Sequence, residues 1–327
     1  MEYRRLGKYG VQVSEISLGA FLTYGNSTSY ETAEACIDAA YALGVNFFDN
    51  ANAYAGGEAE KVVGRALAKY PRDTYVLSTK VFFSMGPYPN QRGLSRKHLF
   101  EQCNASLKRL GMDYIDLYQC HRWDDNTPLE ETLQALDDLA RQGKILYYGV
   151  SEWTASQIAQ AVEITRARGF HPIVSNQPQY NMLARGIERD VIPLCEREGI
   201  GQVVFSPLAQ GVLTGKYKPG EPPPAGSRAA DPKQNMFLKS GIVDNYVHDR
   251  IHVDAALLER VQQLAPIARE AGLSLSQLAL AWCLRQKNVA SVIVGASRPE
   301  QVADNAAAAG KTLTPDILSA IDQVLRG

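Results

Sequence analysis

Nowhere do the 327 residues run to the roughly 18 uninterrupted apolar positions of a membrane-spanning helix. Charge of one sign is equally lacking: 34 Lys+Arg face 35 Asp+Glu, a net charge of −1. The basic footprint of a nucleic-acid or anionic-membrane binder is therefore missing. Cysteine is scarce, and Cys36, Cys103, Cys120, Cys195 and Cys283 include no C-x-x-C pair. They read as buried reduced thiols, not as a disulfide framework. No apolar signal-peptide core follows Met1, so a cytoplasmic location is expected. No G-x-G-x-x-G opens a helix, and Gly310-Lys311-Thr312 is no P-loop because residue 305 is Asn. A nucleotide would have to be held by other means. With 45% hydrophobic and 21% charged residues, the chain can bury a large core.

Eight short apolar runs recur: Ile16-Leu18, Asn46-Asp49, Tyr75-Lys80, Ile115-His121, Ile145-Ser151, Pro172-Gln177, Gln202-Ser206 and Ser291-Gly295. Most are too apolar for a one-faced sheet and suit parallel strands covered on both sides. Helical segments alternate with them. Leu99, Cys103, Leu107 and Leu110 fall three or four apart before Gly111. Thr127 can cap a helix with Pro128 at its first position, and Thr154/Gln157 and Ser274/Gln277 read as capping boxes. Eight such units predict an α/β fold of the (β/α)8 TIM-barrel class, with a doubly wound sheet as the other arrangement. Tyr3-Leu6 and Val11-Ser14 predict an N-terminal β-hairpin plugging one end. A helix from about Pro299 and an amphipathic one over Pro315 to Leu325 follow the last strand. No linker divides residues 1–327, so one domain is expected.

Two irregular segments, Ser84 to Leu94 and Lys218 to Val247, would emerge as long loops at the carboxyl face, where barrel enzymes work. His248 and His252, near Asp244 and Asp249, are too weak a pattern to predict a metal site.

The strands end on polar groups: Asp49, Lys80, His121, Ser151, Gln177 and Ser206. Each alone could be a cap or a solvated group, but in a closed barrel they converge on one mouth. A lysine following Tyr75-Val76-Leu77 needs a carboxylate, which Asp49 can supply. Tyr54 lies five residues past Asp49. Hydride addition to a carbonyl builds charge on oxygen, which must be stabilised and protonated. A phenol with pKa about 10 is a poor acid at neutral pH, and Lys80 is expected to lower it. Asp49 would hold Lys80 charged, and His121 would donate a second hydrogen bond.

Phe48-Asp49-Asn50-Ala51-Asn52-Ala53-Tyr54, Ser78-Thr79-Lys80 and Gln119-Cys120-His121 resemble the Asp, Tyr, Lys, His tetrad of the aldo-keto reductases. Further landmarks run from Arg5-Leu6-Gly7 through Ser206-Pro207-Leu208-Ala209-Gln210-Gly211 to Gly295-Ala296-Ser297 and Asn305. Within the family the chain is most similar to the branch of potassium-channel β subunits and their bacterial relatives. The resemblance implies NADPH as cofactor, a small carbonyl compound as substrate, and catalytic roles for Asp49, Tyr54, Lys80 and His121.

It also implies that Ser151 and Gln177 hold the carboxamide, that Phe205 stacks on the nicotinamide, and that Ala20 and Phe21 meet the cofactor. Ser206, Pro207, Leu208, Gln210, Gly211 and Gly295 join the cofactor set. Ser297 would cap the helix begun by Arg298-Pro299-Glu300, with a 2′-phosphate at its N-terminus. Gln301, Asp304 and Asn305 would lie near the adenine, and Lys216, Arg228 and Arg298 would favour NADPH over NADH. The sequence departs from the family pattern with Glu152 after Ser151 and with Phe205 for a Trp or Tyr. His121 stands where channel subunits carry Asn, which favours catalysis. A cofactor-loaded regulatory subunit is the alternative function; a Schiff-base enzyme using Lys80 is a third. Nucleic acid and membrane insertion are not expected as partners, and homo-oligomerisation is open.

Overall fold

The computed structural model describes residues 1–21, 23–231, 242–244 and 250–326. The chain opens with a hairpin, β1 (Tyr3–Arg5) against β2 (Gln12–Ser14), in which Arg4 opposes Val13. Then strand and helix alternate: β3 (Ile16–Gly19), α1 (Tyr30–Ala42), β4 (Phe47–Asp49), α2 (Glu58–Leu67), β5 (Val76–Val81) and α3 (Arg96–Leu110). There follow β6 (Ile115–Cys120), α4 (Leu129–Arg141), β7 (Ile145–Ser151), α5 (Ala155–Arg168), β8 (Ile173–Gln177), α6 (Val191–Glu198) and β9 (Gly201–Val204). A small antiparallel pair, β10 (Ile242–Asp244) and β11 (Arg250–His252), precedes α7 (Ala255–Glu270), α8 (Leu275–Leu284) and β12 (Val289–Val294). Two helices follow β12, α9 (Pro299–Ala306) and α10 (Pro315–Arg326).

Eight parallel strands close a barrel in the order β12-β3-β4-β5-β6-β7-β8-β9, which is a (β/α)8 barrel. Every residue of β5 and β6 is buried on both strand faces, as covering by crossover helices requires. Gly111 ends α3 in the left-handed region, and the Thr154/Gln157 and Ser274/Gln277 boxes form at α5 and α8.

Three local expectations are corrected. Pro128 has ψ 128° and is itself the N-cap of α4; Thr127 therefore comes one residue early, and its hydroxyl donates to Asp124. Strand β9 stops at Val204, so Ser206 lies two residues past its end. The segment from Lys218 is not wholly irregular, because Ile242–Asp244 pairs with Arg250–His252. His248 and Asp249 lie outside the described residues, as do residues 232–241. Among the described residues no group of three or more His, Cys, Asp or Glu could hold a metal ion, and no described helix is long and apolar enough to cross a membrane.

The barrel interior grades from apolar to polar along the strands. Phe47, Val76, Leu117, Val174, Val203, Ala290 and Ile293 cluster with Leu6 and Val13 of the hairpin, which thereby closes the amino end. Gly7 fits the seal because it has φ +63° and an added Cβ would stand 2.2 Å from the Gly199 carbonyl oxygen. Two residues further along the same inward faces come Asp49, Ser78 and Gln119, then Lys80 and His121. One end is a dry seal and the other a polar mouth. Replacing Leu117 with Ala is expected to cost about 2–5 kcal/mol, against about 0.5 kcal/mol or less for Leu146→Ala, since Leu146 is 46% exposed. Urea-unfolding midpoints check this, and equal losses would contradict the assignment of the interior core.

Candidate active site

Strand β4 delivers Asp49 to the mouth, and the chain turns at once into the loop that carries Tyr54. This loop stays registered on β5: Asn50 N–H donates to the Ser78 carbonyl (2.9 Å) and Asn52 N–H to the Lys80 carbonyl (3.1 Å). Tyr54 starts a 3₁₀ turn in which Ala55, Gly56 and Gly57 all have positive φ, and α2 begins at the next residue. Asn50 Nδ2 ties the loop to the Ala59 carbonyl at 3.1 Å. Behind β5, the wholly buried Glu60 accepts from Thr79 Oγ1 (2.5 Å) and from Arg109 Nε (2.5 Å), fastening α2 and α3 to the strand.

The four tetrad residues meet. Lys80 is fully buried, and its Nζ donates to Asp49 Oδ2 at 2.6 Å, to the Asn50 carbonyl at 2.7 Å and to Tyr54 Oη at 3.3 Å. The three donors of an ammonium are thus matched. Asp49 also accepts from Ser78 Oγ (2.5 Å) and Gln177 Nε2 (2.9 Å) through Oδ1. The Tyr54 ring lies 5.7 Å from the His121 ring and 4.9 Å from Phe21.

Electrostatics set the protonation states. Burial alone would lower Lys80, but Asp49 and Tyr54 more than offset it, and the ammonium ends above its ordinary pKa. Burial pulls His121 well below the usual range, reinforced by Lys80 and Arg122, so the imidazole is neutral at pH 7. The expected lowering of Tyr54 is corrected: burial raises the phenol more than Lys80 lowers it, and the net shift is upward.

The residues expected on the cofactor side fall into two groups. Near the tetrad, Ala20 N–H donates to the Asp49 carbonyl (2.9 Å) and Phe21 is 45% exposed. Ser151 Oγ donates to the Gln177 carbonyl (2.8 Å), while the Gln177 amide already engages Asp49. Phe205 is half-buried against the barrel interior, and Glu152 adopts φ 57° with a buried carboxylate accepting from Gln179 N–H at 2.7 Å.

Farther out, the chain past β9 turns through positive φ at Ser206, Ala209, Gln210 and Gly211, beside buried Pro207 and half-buried Leu208. An added Cβ on Gly211 would meet Lys216 Nζ at 3.0 Å. Burial lowers Lys216, and repulsion from Arg228 and Arg298 lowers it further; burial brings Arg228 down to about 10. Gly295 and Ser297 are exposed after β12. Ser297 does not cap α9, because Arg298, extended before Pro299, takes the cap position. The Ser297 N–H and hydroxyl instead donate to Gln301 Oε1 (2.9 and 3.2 Å). Asp304 accepts from Gln277 Nε2 (2.8 Å), and Asn305 is buried.

A model of the Aldo/keto reductase family matches residues 15–326. The chain belongs to the aldo/keto reductase family. It is 43% identical over 331 residues to a probable voltage-gated potassium channel subunit beta of Arabidopsis thaliana, covering 100% of this chain and 97% of that protein. A protein of the same description from Oryza sativa subsp. japonica is 40% identical over 331 residues, with the same coverage. The family consists of NAD(P)H-dependent oxidoreductases acting on small molecules.

Sequence reasoning missed the supports of this aldo/keto reductase site. Ser78 shares the inward face of β5 with Lys80 at a spacing of two, a signal strand alternation could have exposed. The Glu60–Arg109 pair joins residues 49 positions apart and leaves no such signal. Arg122, which acts on both Tyr54 and His121, adjoins a residue already singled out.

Removing Lys80 leaves a buried, uncompensated Asp49. Lys80→Met should lower stability by about 3–5 kcal/mol, and adding Asp49→Asn should recover part of it; equal losses by urea unfolding would contradict a buried ion pair. His121 has a folded pKa below its unfolded value of about 6.5, so its stability contribution is complete above that pH and is lost as pH falls toward the folded pKa. Urea midpoints should therefore fall on acidification below about pH 6.5, less steeply in His121→Gln than in the wild type. Identical slopes would contradict the neutral buried imidazole.

Proposed function

We propose that residues 1–327 act as one domain, an NADPH-dependent reductase of aldehydes and ketones. The carrying observation is the buried chain of contacts from Asp49 through Lys80 to Tyr54, 2.6 and 3.3 Å long, beside a neutral His121. Bound NADPH supplies the hydride. Tyr54, its pKa raised, is protonated at neutral pH and serves as proton donor to the carbonyl oxygen. Lys80 stabilises the phenolate left behind, each pKa unit being worth about 1.36 kcal/mol. Asp49 fixes the ammonium, and the neutral imidazole can donate to the same oxygen without adding a second charge beside Lys80.

The outer residues fit a phosphorylated dinucleotide. Arg228 and Arg298 each lie close enough to Lys216 to lower its pKa, so the three cations form a positive neighbourhood suited to a phosphate. We assign Lys216, Arg228, Arg298, Ser297, Gln301, Asp304 and Asn305 to the adenosine phosphate end. Ser206, Pro207, Leu208, Gln210, Gly211 and Gly295 belong to the middle, and Ala20, Phe21, Ser151, Gln177 and Phe205 to the nicotinamide end. Five free, buried cysteines suit a cytoplasmic location. The similarity to probable voltage-gated potassium channel subunits beta favours a second reading, a cofactor-loaded channel subunit with slow turnover.

Fluorescence titration with NADPH and NADH, followed by an absorbance screen of simple aldehydes, separates the two. Tyr54→Phe should keep NADPH affinity and lose about 10²–10⁴-fold in kcat; full turnover would remove Tyr54 as the acid. Arg298→Ala should weaken NADPH by about tenfold and leave NADH unchanged; equal effects on both would detach Arg298 from the phosphate.

A further inference from the structure

At the end of the barrel opposite the mouth, a cavity of about 470 Å³ lies between the hairpin, the end of α8 and the segment leading into α10. Its size falls within the range of small-molecule sites, roughly 300–1,000 Å³. Ala281 and Leu284 of α8, with Leu313 and Leu318 from the α10 side, give it an apolar wall. Gly310-Lys311-Thr312, the triplet that fails as a P-loop, lines it as well.

Four cations and one carboxylate border the same space: Arg4, Arg285, Lys287 and Lys311 against Glu15. Both arginines are committed within the fold. Arg4 donates through Nε to Glu15 Oε1 at 2.7 Å, and through Nη1 to the Leu284, Gln286 and Val289 carbonyls at 2.9, 3.3 and 2.8 Å. Arg285 donates to Tyr180 Oη (2.7 Å), the Trp282 carbonyl (2.8 Å) and Glu188 (2.7 Å), and it stacks on the Trp282 ring. Glu15 is buried, and its second oxygen accepts from the Gly310 N–H at 2.7 Å, so both of its oxygens are engaged. Lys287 and Lys311 differ. Both are exposed, and among the described residues neither ammonium has a hydrogen-bond or ion-pair partner. Glu2 approaches Gly310 but does not line the cavity.

We propose that this cavity is a second ligand site, separate from the barrel mouth, which binds a small amphiphilic anion: a short hydrocarbon body carrying one carboxylate or phosphate. The alanine and leucine wall gains when hydrocarbon covers it. Two unmatched ammonium groups supply the complementary charge, and a lysine acts as a compact point charge that takes either head group. Thr312 adds a hydroxyl donor. An inorganic anion would leave the wall uncovered, and an uncharged chain would leave the lysines unmatched. Only a molecule with both parts uses the whole lining. The inference is independent of the reductase function, because no residue of this cavity belongs to the tetrad or to the proposed dinucleotide site.

Isothermal titration calorimetry on the full chain tests this with octanoate and octyl phosphate against octanol, acetate and inorganic phosphate. At least one octyl anion should bind about tenfold more tightly than octanol, and about tenfold more tightly than the small anion that shares its head group. Which octyl anion binds better distinguishes carboxylate from phosphate. The double variant Lys287→Gln/Lys311→Gln changes two exposed positions and should fold; it should bring the octyl anion to the level of octanol and leave octanol itself unmoved. NMR of the wild type with methyl-labelled lysines should show the Lys287 and Lys311 signals shifting on addition of the anion. Saturating NADPH should leave the affinity unchanged, since the mouth lies at the other end. Octanol binding as tightly as both octyl anions, small anions matching their octyl counterparts, a head-group preference surviving the loss of both lysines, or displacement by NADPH would each overturn the proposal.

Discussion

The barrel mouth is organised around one buried contact, that of the Lys80 ammonium with the Asp49 carboxylate. A lysine with no solvent exposure is costly to keep charged unless its donors are all matched, and here Asp49, the Asn50 carbonyl and Tyr54 match them. The rest of the mouth serves that arrangement. Ser78 and Gln177 orient Asp49, the loop after β4 is pinned to β5, and Glu60 fastens α2 behind the strand. Leu6 and Val13 seal the amino end of the barrel interior, opposite the end where these polar groups converge.

The same contact sets the protonation of its neighbours. Tyr54 stays a phenol because burial outweighs the pull of Lys80, and His121 stays neutral because burial and two cations oppose its charging. A neutral acid beside a fixed ammonium is well placed to release a proton when negative charge develops next to it.

Much of this was legible in the sequence. Short apolar runs and capping boxes announce strands and helices, and polar strand ends announce the mouth, since closure of the barrel makes distant positions neighbours. What was not legible depended on balance or on single dihedral angles. The direction of the Tyr54 shift follows from weighing burial against a cation 3.3 Å away, which residue identity does not reveal. The failed caps at Thr127 and Ser297 share a cause: a proline after them held the cap position at Pro128 or pushed it to Arg298. The hydrogen bond from Gln177 to Asp49 joins residues 128 positions apart, and nothing in the sequence announces it.

The dependence of Tyr54 on Lys80 is measured most directly by following the phenol of Tyr54 through a pH titration, using NMR of tyrosine labelled at Cζ. The wild type should titrate above the ordinary tyrosine pKa of about 10, and Lys80→Met should titrate higher still. A Tyr54 that titrates at the ordinary value, or one indifferent to the loss of Lys80, would contradict the account.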